Sequence, residues 1–157
     1  MKKYIAIVLL LVMIFSLTSC DVVNFVMAEK KEYSGDEFID ILEDEDFEVA
    51  EVDLSEEQAE IMDVCIGAEK DDLLVTFFIY EDKDLAESAF DDLKNDLGED
   101  DEVKSQASIN LQNYSQFRAE TKDQIHVVIN VGETLLLIDA PKEDNKEVGA
   151  FIKRLGY

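Results

Sequence analysis

Apolar residues recur along this chain with two different periods, and the switches between them outline alternating helices and strands. After Ser34, the residues Phe38, Ile41 and Leu42 share one helical face. Ser34 and Glu37 have the spacing of a capping box, in which each side chain satisfies an orphan backbone donor. The run Glu43-Asp44-Glu45-Asp46 ends this helix. Residues 47–52 are expected to form a short strand and 55–61 a short helix capped by Ser55. In 62–68 every second position is apolar, the period of a strand. In 73–80 both faces are apolar apart from Thr76, which suits a central strand covered on both sides. The short charged turn Glu69-Lys70-Asp71-Asp72 joins the two as a hairpin.

A second helix starts at Asp82 or Asp84 and runs to Leu97. Its buried stripe is Leu85, Ala86, Ala89, Phe90, Leu93 and Leu97, and Gly98 stops it. Residues 99–106 read as a polar loop. A three-strand meander over 113–120, 124–131 and 134–140 follows. In its middle strand Ile125, Val127, Ile129 and Val131 alternate with His126 and Asn130, and Gly132-Glu133 makes the next tight turn. Pro141 ends the last strand. A C-terminal helix over 143–155 presents Val148, Phe151, Ile152 and Leu155, with Gly156 fitting its C-cap. The order helix, strands, helix, strands, helix predicts an α+β fold, an antiparallel sheet with helices packed mainly on one face. At an offset of 61, Ala89-Phe90 falls on Ala150-Phe151. That echo is either a duplicated ββα unit or two generic strand–helix connections, and the generic reading is preferred.

The N-terminus has a different character. Lys2 and Lys3 precede an uninterrupted apolar run over 5–15, too short to span a membrane as a mature helix. Small residues follow at Ser16, Thr18 and Ser19, as a cleavage site requires. The final four residues, Leu17-Thr18-Ser19-Cys20, resemble the lipobox of bacterial lipoproteins. The resemblance covers only the signal. It implies that the Cys20 thiol receives a diacylglycerol, that a peptidase cuts before Cys20, and that the new amine can be acylated in turn. It also implies a location at the extracytoplasmic face of the cell membrane, held there by lipid, since two or more acyl chains anchor stably where one does not. Asp21 resembles the inner-membrane retention signal of Gram-negative lipoproteins and has no sorting meaning in Gram-positive cells. The chain thus divides into a signal (1–19), a lipidated Cys20 with its tether (20–33) and a single acidic domain (34–157). The tether is apolar at Val22, Val23, Phe25, Val26 and Met27, consistent with either a strand or a sticky linker. Farther along, Asn113-Tyr114-Ser115-Gln116-Phe117, Gly132-Glu133-Thr134-Leu135-Leu136 and Ile152-Lys153-Arg154-Leu155-Gly156-Tyr157 resemble small uncharacterised lipoproteins of Firmicutes. This likeness spans the last hundred residues or so, rests on structural motifs and implies no activity.

Charge narrows the partners. The 157 residues include 38 acids and 14 bases; cleavage removes Lys2 and Lys3 and no acid, leaving 12 bases against 38 acids, a net charge of −26 on 138 residues. Such a surface repels anionic polymers and headgroups. It disfavours nucleic acid, whose binding needs Lys and Arg at the phosphates. A cationic protein or ligand is electrostatically allowed, although acid runs usually serve only to solvate a surface. With Cys20 at the cleavage site, Cys65 is left alone. No intramolecular disulfide can form, and Cys65 reads as a small buried hydrophobe.

The residues offer little catalytic chemistry. His126 is the only histidine, so a Ser-His-Asp or Cys-His site would need it. It could join Cys65 only if their strands were neighbours with both side chains on one face. One histidine and one free cysteine argue against zinc. An EF-hand loop built around Gly98 would start at Leu93, which cannot ligate calcium. The clusters Glu43-Asp44-Glu45-Asp46 and Glu99-Asp100-Asp101-Glu102 could hold calcium weakly. Paired carboxylates can hydrolyse a glycosidic bond, but so many acids place some pair at the right separation by chance, and no Trp offers a sugar platform. No Gly-rich phosphate loop is present. The expected role is a non-enzymatic binding module at the cell envelope, with no cofactor. The alternatives are an envelope hydrolase using carboxylates and a calcium-responsive module.

Overall fold

In a computed structural model of the chain, which describes residues 29–157, helix α1 (Gly35–Asp44) leads into β1 (Glu48–Glu51) and the hairpin of β2 (Met62–Lys70) and β3 (Leu73–Tyr80). Helix α2 (Lys83–Gly98) follows, then a meander of β4 (Ser105–Asn110), β5 (Tyr114–Glu120), β6 (Gln124–Val131) and β7 (Thr134–Pro141). A 3-10 turn (Lys142–Asp144) and helix α3 (Asn145–Arg154) complete the chain. The export signal, Cys20 and the apolar tether residues Val22 to Met27 lie outside the described residues.

The fold is α+β. Seven strands form one sheet in the order β1-β2-β3-β7-β6-β5-β4, every pair antiparallel. The two sequence-local groups of strands are stitched together by β3 and β7, and both sheet faces carry a core. On one face Phe38 and Leu42 of α1 and Val148, Phe151 and Ile152 of α3 pack with Ile66, Phe77 and Ile138. Phe38 and Phe77 stack at 4.0 Å between ring centroids. On the other face Ala86 and Phe90 of α2 pack with Tyr80, Phe117, Val128 and Leu135. Two of the three α-helices among the described residues therefore share a face, and burial on both sides explains the continuous apolar runs of β3, β6 and β7. Phe90 and Phe151, aligned by the offset of 61, lie on opposite faces. A two-fold axis between adjacent antiparallel strands would keep them on one face, which favours two generic strand–helix connections.

The helix ends follow the sequence closely. Ser34 and Glu37 form both halves of the capping box: the Glu37 amide donates to Ser34 Oγ at 3.3 Å and the Ser34 amide to Glu37 Oε2 at 3.2 Å. Asp82 caps α2, accepting from the Leu85 amide at 2.9 Å. Past α3, Gly156 takes a positive φ of 79°, and the amides of Gly156 and Tyr157 donate to the carbonyls of Lys153 and Ile152. That is the Schellman pattern for which glycine is best suited.

Three segments differ from the sequence expectation. Residues 55–61 form hydrogen-bonded turns rather than a helix. Ser55 and Gln58 do make reciprocal capping bonds, but Glu56, Glu57 and Glu60 leave no apolar stripe to hold a helix against the sheet. Residues 105–110, read in part as loop, form edge strand β4, exposed along its length and held by its ladder to β5. The end of the tether also lies against the domain. The Lys30 amide donates to Asn113 Oδ1 at 3.0 Å, and Asn113 Nδ2 returns a bond to the Lys30 carbonyl at 2.8 Å. Lys30 Nζ donates to the Gly156 carbonyl, Tyr33 Oη to the Leu155 carbonyl, and Tyr157 Oη to the Lys31 carbonyl.

Candidate functional site

Strand register gathers the site from distant parts of the chain. Glu48, Glu69, Leu74, Asp139 and His126 stand in one cross-strand row over β1, β2, β3, β7 and β6. The next row on the same face is Ala50, Gly67, Thr76, Leu137 and Val128. At its Val128 end α2 covers this row. At its Ala50 end the side chains are small, and the sheet is left as an open trough of about 470 Å³ between Glu48, Glu69 and Leu74. Leu74 is 47% exposed beside it and Val52 48% exposed, so the rim carries apolar as well as acidic surface.

Beyond the row lies a notch lined by Asp46, Glu48, Glu69, Lys70 and Asp71. Lys70 turns its charge elsewhere, pairing with Glu147 at 3.2 Å and lying over the Phe47 ring. Among the described residues none of the four notch carboxylates forms an ion pair. Two of them sit on strained backbone. Asp46 has φ 63° and Asp71 φ 52°, and no other non-glycine residue described has a positive φ. Asp46 occupies the Schellman position after α1, where its amide donates to the Glu43 carbonyl and that of Phe47 to the Leu42 carbonyl. Asp71 opens the two-residue turn between Lys70 and Leu73. Aspartate tolerates this left-handed region better than most residues, but glycine is the relaxed choice at both places.

His126 Nδ1 is 2.5 Å from Asp139 Oδ1, so the only histidine is oriented by a carboxylate on its neighbouring strand. Cys65 does not join it. Cys65 lies on β2, separated from β6 by β3 and β7, and in the row of Phe78, Leu135 and Asn130. Burial pushes its thiol up, away from the reactive thiolate. Among the described residues no three His, Cys, Asp or Glu side chains converge as metal ligands, and the runs 43–46 and 99–102 form no such group. Glu120, at the same end of the sheet, is held below the usual carboxylate range by its hydrogen bonds from Arg118 and Lys142.

The arrangement can therefore attract and hold positive charge, and its apolar floor can accept the aliphatic part of a cationic group. The sequence marks the acids and the turn over 69–72; the alignment of Glu48 with Glu69 and Asp139 depends on long-range pairing that periodicity does not reveal.

No family model matches this chain, and no curated protein matches it. Among solved structures, a GTP binding regulator from Thermotoga maritima is similar over 81% of this chain and 88% of that one, with 20% sequence identity and a TM-score of 0.49.

Proposed function

We propose that the protein is a lipoprotein, anchored through Cys20 to the outer face of the cell membrane, that binds a cationic protein segment or ligand along the trough between Glu48, Glu69 and Leu74. The anchor rests on Leu17-Thr18-Ser19-Cys20 behind Lys2, Lys3 and the apolar run. The observation that carries the binding role is the placement of Glu48 directly opposite Glu69 on the open end of the sheet. Like charges facing each other across a ladder are destabilising, and a bound ammonium or guanidinium would relieve that repulsion. Binding in the trough involves no covalent step.

Two measurements test this reading. Cells fed a labelled fatty acid should label the protein, and Cys20→Ala should abolish the label. A lysine-rich peptide titrated against residues 29–157 should bind with an affinity that falls as salt rises, and Glu48→Gln with Glu69→Gln should weaken it at low salt. Binding indifferent to both salt and the double substitution would overturn the cationic-partner reading.

A further inference from the structure

Resting on the anchor proposed above, we infer that the strap over residues 29–33 sets which end of the domain meets the bilayer. Lys30 is fixed through both its amide and its carbonyl to Asn113, and Lys31, Tyr33 and Lys30 Nζ are tied to the last three residues of the chain. Glu32 reaches the next turn, accepting from the Glu133 amide at 3.3 Å. The strap therefore grips one end of the sheet, where β4 passes to β5, β6 to β7, and α3 terminates.

Only nine residues lie between Cys20 and Lys30. Fully extended, the chain from Cys20 to Lys30 reaches at most about 33–36 Å. The opposite end of the sheet is farther away by the length of β6 and β7, eight residues each, or roughly 26 Å. Bringing that end to the bilayer would require the tether to stretch along the whole domain.

Acids lie at both ends of the sheet: the strand directions place the runs 43–46, 69–72 and 99–102 away from the strap, and Glu56, Glu57, Glu60, Glu81 and Asp82 on the strap side. The domain stands with Asn113, Gly132 and Tyr157 toward the membrane, and the notch of Asp46, Glu48, Glu69 and Asp71 faces outward, where a soluble or wall-borne cationic partner can reach it.

The test uses the full lipidated protein in vesicles containing anionic lipid, in a Cys65→Ala background. A fluorescent donor is placed at Glu133→Cys or Lys122→Cys, with an acceptor on the headgroups. Both sites are exposed and lie on opposite turns of β6. Energy transfer should be several-fold stronger from position 133 than from position 122. Equal transfer, or the reverse order, from protein whose intact mass includes the lipid would overturn the orientation and leave the anchor standing. An intact mass without lipid would overturn the anchor and the orientation together.

Discussion

Glu48 and Glu69 face each other directly across the β1–β2 ladder, carboxylate opposite carboxylate, with no cation between them among the described residues. Cross-strand pairs of like charge weaken a sheet by roughly 0.2–1 kcal/mol. Glu69→Gln is therefore expected to raise the free energy of unfolding by about 0.5 kcal/mol, read from the urea midpoint at unchanged slope, while weakening the lysine-rich peptide at low salt. Opposite signs for stability and binding would separate a ligand-driven arrangement from an ordinary solvated edge. A variant that loses both would show that Glu69 supports the fold instead.

Asp46 makes a second case of the same kind. Its backbone must take φ 63° to close the Schellman motif after α1. Glycine adopts that conformation without a Cβ penalty, at the expense of greater freedom in the unfolded chain. Asp46→Gly should stabilise the domain by about 0.5–1 kcal/mol. Asp46→Ala, which removes the charge and keeps the strain, should not. Chemical denaturation of the two variants side by side distinguishes backbone strain from charge.

Much of this architecture is legible in the sequence because it is written in local patterns. Ser34 with Glu37, Asp82 and Gly156 mark helix ends through short-range backbone bonds, and the alternation Ile125-Val127-Ile129-Val131 records one buried face of β6. What is not legible depends on partners far along the chain. Strand β4 buries nothing, so it leaves no hydrophobic signal, and only its ladder to β5 makes it a strand. The tie between Lys30 and Asn113 spans 83 residues and uses one amide side chain. The candidate site belongs to this second class. Its acids are plain in the sequence, but their common row exists only once β3 lies beside β7. Lipidation at Cys20 rests on the sequence alone, since that residue lies outside the described residues.

The excess of acids predicts a general response to salt. With 38 acids against 14 bases, self-repulsion favours the expanded chain. Raising ionic strength from about 0.01 M to about 0.15 M shortens the screening length from roughly 30 Å to roughly 8 Å. The melting temperature should rise over that range with sodium chloride and with choline chloride alike, as scanning fluorimetry of residues 29–157 would show. Equal effects of the two salts would mark screening; a rise confined to one cation would mark a specific site.

High pH should attack the strap end first. Burial pushes the Tyr114 phenol up to about 12, and burial also raises Tyr157. Both are 8% exposed or less and belong to the core under α3. An unfolded tyrosine ionises near 10, so the folded state holds these protons more tightly. The stability this confers is complete below about pH 10 and is lost as pH rises through about 12. Tyr114→Phe removes one of the two groups and the hydrogen bond from Tyr114 Oη to Gln116 Oε1. At pH 7 the variant should be less stable by about 1 kcal/mol. Between about pH 10 and 12 it should lose stability less steeply than the parent, with Tyr157 supplying the remainder. Melting curves across that range decide the matter: parallel losses in both proteins would mean that Tyr114 ionises freely in the folded state.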